Sequence, residues 1–80
     1  SGAVILAEVQ VHTGWVGRRM AALEAASEAR VAFLSRLGEG LVPGPDTLYQ
    51  EGDLVHFVLR HDQLTSVEQR MAVPPSKDGH

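Results

Sequence analysis

Eighty residues, 44% hydrophobic and 21% charged, carry a formal net charge of −3, the balance of one ordinary globular domain. The acidic excess speaks against nucleic acid, whose binders carry a basic stripe, and the absence of cysteine removes a disulfide framework or thiolate metal site and suits a reducing compartment. No apolar run approaches the ~20 residues that cross a bilayer, no signal-peptide pattern is read, and Ser1-Gly2 (residues 1–2) reads as a tag remnant left by a protease.

From Ala3 to Val11, the apolar residues Ile5, Ala7, Val9 and Val11 alternate with Leu6, Glu8 and Gln10, which predicts a half-buried strand. Thr13-Gly14-Trp15 breaks it. Val16, Met20 and Leu23 then recur at i, i+4 and i+7, predicting a short amphipathic helix over 16–26 that turns Arg18, Arg19 and Glu24 to solvent. Trp15 reads as a staple onto its first turns. Arg30 to Leu37 is a second strand, bounded by Gly38, and Gly40-Leu41-Val42 is its hairpin return.

Pro43-Gly44-Pro45-Asp46 is a turn cluster. After it, Thr47 to Tyr49 reads as a brief strand and Leu54 to Leu59 as a long one, with a hairpin turn between them. Gly52 would supply positive φ there, and Asp53 would accept from neighbouring backbone amides. Asp62 is placed to cap a last helix whose Leu64, Val67 and Met71 share a face, and residues 72–80 read as a polar tail without regular structure.

The order is β-α-β-β-β-α, an α+β domain of two layers with two short helices on a mainly antiparallel sheet. The strand from Leu54 to Leu59 is apolar on both faces, and such strands are covered on both sides. A chain this size buries only roughly 60% of its unfolded surface, so a homodimer is expected to supply the second cover.

Little in the sequence suggests catalysis. His12, His56, His61 and His80 lack metal-ligand spacing, and His56 reads as a hydrogen-bonded packing residue. Asp46, Glu51 and Asp53 read as a solvated turn rather than a cation site. No Ser-His-Asp, Cys-His or carboxylate pair can be assembled. Without a Gly-rich fingerprint, neither NAD nor ATP is expected to bind this chain. Arg18, Arg19 and Arg30 are the clustered positive charge, open to two readings: a solvated helix face, or a clamp for phosphate oxygens.

Taken in order, the chain shows Glu8-Val9 in the opening strand, Val16-Gly17 leading a helix that ends in Leu23, and an apolar strand closing on Arg36. Pro43…Asp46-Thr47…Gly52-Asp53 then precedes a long apolar strand. This set resembles the C-terminal domain of TrkA-type potassium-uptake regulators, the RCK C-terminal (RCK_C) domain, over about Ala3 to Met71 (residues 3–71). The resemblance implies a dimeric regulatory module of a cytoplasmic protein, peripheral to the inner face of the cell membrane. There it would follow a Rossmann-type nucleotide-binding domain and act on a membrane potassium channel or transporter. Some family members bind c-di-AMP at the dimer interface. Carried onto this chain, Met20, Leu23 and Ala25 would line the adenine pockets, and Arg18, Arg19 and Arg30 would surround the phosphates. Arg30 would replace an Arg that family members carry in a longer segment, where this chain has the short, Ala-rich Glu24 to Ala29. Two other readings stand beside it: a structural dimerisation module with no ligand, and the soluble domain of a cation/proton exchanger.

Overall fold

The computed structural model describes residues 2–76. Residue 1 and residues 77–80, which include His80 and the end of the expected tail, lie outside the described residues. In chain order the elements are β1 (Val4–Val9), α1 (Met20–Ser27), β2 (Arg30–Arg36), β3 (Glu39–Leu41), β4 (Leu54–Arg60) and α2 (Leu64–Met71), with single 3-10 turns at Thr13–Trp15 and His61–Gln63. The four strands form one antiparallel sheet in the order β1-β4-β2-β3, and the helices pack on one of its faces and on each other. This is the expected two-layer α+β domain.

The period-two pattern decides which face is covered. Pairing sets Ile5 opposite Leu59, Ala7 opposite Phe57 and Val9 opposite Val55. These residues point to the helices, where Trp15, Met20, Leu23, Leu34, Val67 and Met71 complete the core. Each fully buried side chain of the Val-to-Phe class contributes about 1.5–3 kcal/mol. The two-faced strand is only half covered within the chain. Leu54 on β4 is 46% exposed, and Val4 and Leu6 on the same side of β1 are 65% and 62% exposed.

The first helix differs from the expectation. It begins at Met20, not Val16, because the chain turns at Gly17 (φ 89°) and Arg19 is still extended (φ −74°, ψ 152°). This stretch pairs instead with Thr47 to Tyr49. Gly17 N donates to the Tyr49 carbonyl at 2.8 Å, and Tyr49 N donates to the Arg18 carbonyl at 2.8 Å. Met20 N and Ala21 N, free at the start of any helix, donate to the carbonyls of Thr47 (2.7 Å) and Pro45 (3.0 Å). Thr47 to Tyr49 therefore forms no hairpin with β4; it makes an isolated bridge, Leu48 to Arg19. The Gln50–Asp53 turn, with Gly52 at φ 90°, is a corner leading into β4.

Asp62 does not cap α2 as expected. It lies in the preceding 3-10 turn, where its carboxylate meets Arg60 Nε at 3.2 Å. The turn is closed by Gln63 Oε1, which accepts from Arg60 N at 2.9 Å.

Residues 72–76 are docked onto the first loop rather than left loose. Trp15 is buried, and its indole Nε1 donates to the Val73 carbonyl at 2.8 Å. A Cβ placed at Gly14 would lie 2.9 Å from Pro74 Cβ, so the loop and the chain end fit closely. Trp15 thus holds the C-terminal segment, beyond the staple role read from its position. Trp15→Phe keeps most of the ring but removes the donor. It should lower stability by about 0.5–1.5 kcal/mol, the net worth of one hydrogen bond, as read by circular dichroism in urea.

Candidate functional site

β3 is only three residues long, so the first half of β2 has no neighbour on its outer edge. Val42 to Pro45 leave the sheet there and cross to the helix layer, where Pro45 and Thr47 accept from the start of α1. A cleft of about 350 Å³ opens between this crossing, α1 and β2. Ala32, Val42, Pro43 and Pro45 give it apolar walls, while Glu24 and Arg30 supply its two charges. Glu24 Oε2 accepts from Val31 N at 2.9 Å, which ties the end of α1 to the start of β2. Arg30 is exposed at the rim and makes no ion pair within the chain among the described residues.

Of the six residues singled out from the sequence, the cleft holds two, Met20 and Arg30. Met20 is only 1% exposed: its side chain belongs to the core and backs the cleft. Leu23 is wholly buried in the core and is not in the cleft lining. Ala25 is exposed on α1, away from the cleft lining. Arg18 and Arg19 precede the helix instead of riding on it. The Arg18 carbonyl is taken by Tyr49, and Arg19 forms an exposed ion pair with Asp46 at 3.2 Å. Of the three arginines, Arg30 lines the cleft and Arg18 and Arg19 do not.

The most buried charge was missed as a pair. Asp53 accepts from Arg36 through both oxygens, Nε to Oδ1 and Nη2 to Oδ2, each at 2.9 Å. Its Oδ2 also accepts from Gln50 N at 2.9 Å, as expected of a turn aspartate, and Arg36 Nη2 reaches the Leu48 carbonyl at 2.9 Å. Burial alone would push the Asp53 carboxyl up, but the Arg36 guanidinium and the Gln50 N–H outweigh it and hold it below its ordinary value. This fork fastens the Leu48–Asp53 segment, and through it the start of α1, to the sheet. Nothing periodic links two residues 17 apart in sequence, so no sequence signal announced the pair.

His56 does pack, stacking on Phe33 with ring centroids 4.2 Å apart and planes 10° from parallel. Among the described residues, no three His, Cys, Asp or Glu side chains are grouped to hold a metal ion, and no helix is long and apolar enough to cross a membrane.

The fold is that of RCK_C domains. The chain matches the RCK_C domain dimer of S. agalactiae BusR in complex with c-di-AMP with a TM-score of 0.64, at 19% identity over 86% of this chain and 95% of that one. It matches the GsuK channel with a TM-score of 0.70, at 18% identity over 89% of this chain and 14% of that one. No family model matches the chain. In sequence it is 43% identical over 79 residues to the Trk system potassium uptake protein TrkA of Streptomyces coelicolor, a match spanning 99% of this chain and 35% of that protein. The chain is thus similar over nearly its whole length to about a third of that TrkA protein, and its fold is that of RCK_C domains.

Proposed function

We propose that residues 3–71 are the dimeric regulatory domain of a cytoplasmic potassium-transport regulator, and that the cleft beside Arg30 takes one half of an anionic cyclic dinucleotide such as c-di-AMP. In this reading the domain is not an enzyme. It follows a Rossmann-type domain and acts on a membrane potassium channel or transporter at the inner face of the membrane. The observation that carries the ligand reading is Arg30, a guanidinium without an ion-pair partner among the described residues, at the rim of an apolar-walled cleft. Its fork of donors suits phosphate oxygens, and Ala32, Val42 and the two prolines offer flat apolar surface to a base. At about 350 Å³ the cleft is at the lower end of small-molecule sites, roughly 300–1,000 Å³. That suits one nucleotide of the ligand, with the other in the second subunit, as a two-fold ligand in an isologous dimer requires. The similarity to TrkA and to the c-di-AMP complex of BusR supports the reading.

Calorimetry with c-di-AMP should show one dinucleotide per dimer. Arg30→Ala should weaken binding at least tenfold, about 1.4 kcal/mol, and Arg60→Ala, which does not line the cleft, should leave it nearly unchanged. NAD(H) and ATP should give no saturable binding, since no Gly-rich strand-turn-helix brings backbone amides onto a pyrophosphate. If c-di-AMP gives no heat and no thermal shift at high micromolar concentration, the domain is a structural dimerisation module.

A further inference from the structure

We propose that Glu24 decides which base the cleft accepts: one carboxylate oxygen receives an exocyclic amino group, so the cleft takes a 6-aminopurine and turns away a 6-oxopurine. This rests on the cyclic-dinucleotide reading of the same cleft and adds the group that reads the base.

Glu24 lies on α1, on the side that meets the start of β2. Its Oε2 accepts from Val31 N at 2.9 Å. That bond fixes the carboxylate in place, since the helix holds one end of the side chain and the strand the other. Oε1 has no donor among the described residues, although the side chain lines the cleft. An ionised carboxylate can only accept, and Glu24 is half-buried, where an acceptor without a donor is costly. The cleft therefore presents one unengaged acceptor at a fixed position.

Charge sets how a nucleotide lies against it. Val31 follows Arg30 directly, so the carboxylate is anchored at the foot of the Arg30 side chain, yet the two charges form no ion pair with each other. Arg30 is exposed at the rim, whereas Glu24 is half-buried. A phosphate is drawn to the guanidinium and repelled by the carboxylate. That puts the phosphate at the rim and the base inside, between the apolar walls of Ala32, Val42, Pro43 and Pro45.

With the base so placed, its polar edge meets Glu24. Adenine carries an N6 amino donor on that edge, while guanine carries an O6 acceptor at the same ring position, as does hypoxanthine. Facing a carboxylate, the amine makes a charge-assisted hydrogen bond; the oxo group sets acceptor against acceptor. A site that bonds a ligand N–H in this way discriminates steeply against the analogue lacking it. Hypoxanthine also lacks guanine's 2-amino group, a second donor that could turn toward the carboxylate, so c-di-IMP is the sharper probe.

The test is calorimetry with c-di-AMP and c-di-IMP on the native chain and on Glu24→Gln, with circular dichroism as the check on folding. Glutamine keeps an oxygen for Val31 N and puts an NH₂ donor where Oε1 stood. The native chain should prefer c-di-AMP by at least about tenfold, and Glu24→Gln should lose or reverse that preference, because its amide donates to O6. A merely structural role for Glu24 would weaken both ligands alike and leave their ratio unchanged. A native chain that binds the two equally or prefers c-di-IMP overturns the inference and leaves the dinucleotide reading standing. So does a Glu24→Gln variant that keeps the preference or loses both ligands. If neither ligand binds the native chain, the dinucleotide reading and the inference fall together.

Discussion

Asp53→Ala should lower the unfolding free energy by roughly 2–3 kcal/mol, just under the cost of removing one partner of a fully buried pair. The Asp53 side chain is 1% exposed, but the Arg36 side chain is 26% exposed, so the orphaned guanidinium still reaches some water. Three bonds end on this carboxylate, two from Arg36 and one from Gln50 N. The loss therefore also frees the corner that fixes Tyr49 against the start of α1. Urea unfolding at neutral pH gives the number, and a change under 0.5 kcal/mol would show that the fork is ornamental.

The same group sets a pH dependence. Burial raises the Asp53 carboxyl, yet Arg36 and the Gln50 amide together bring it below its ordinary value. A folded-state pKa depressed below the unfolded one stabilises the fold fully above the unfolded value, about 3.9 for Asp, and that stability is lost as pH falls through the folded value. The stability gap between the native chain and Asp53→Asn should therefore be constant near neutrality and shrink below about pH 4. A gap that widens in acid would contradict the assignment.

Phe57→Ala should have the largest effect of a single core substitution. Phe57 is fully buried at the centre of β4, the strand paired on both sides, opposite Ala7 of β1 and Val31 of β2. Two paired strands hold its backbone in place and limit collapse around the void, so a loss of about 3–5 kcal/mol is expected. An 80-residue chain of ordinary stability has about 4–12 kcal/mol in total, so the variant should melt far below the native chain or fail to fold. A modest downshift of a few degrees would show that the core refills the space.

What the sequence determined by itself was whatever rests on local periodicity and local backbone preference. The alternation in β1 and β4 assigned Val55, Phe57 and Leu59 to one face, and the spacing of Leu64, Val67 and Met71 assigned the buried side of α2. Gly52 was legible because a turn needs a residue tolerant of positive φ. The order of elements, and with it the fold, followed from these. The candidate site was legible only in Arg30 and, behind it, Met20. Tertiary structure alone decided that α1 waits until Met20, because the carbonyls that receive its first amides come from Pro45 and Thr47. Pairing with Tyr49 likewise drew the Arg18–Arg19 backbone off the helix. Only the fold joined Arg36 to Asp53 and left a cleft where β3 stops short. Periodicity records which way a side chain faces relative to its own element. It carries no trace of which distant backbone group will accept a hydrogen bond or which distant charge will become a neighbour, and those long-range pairings shaped the cleft.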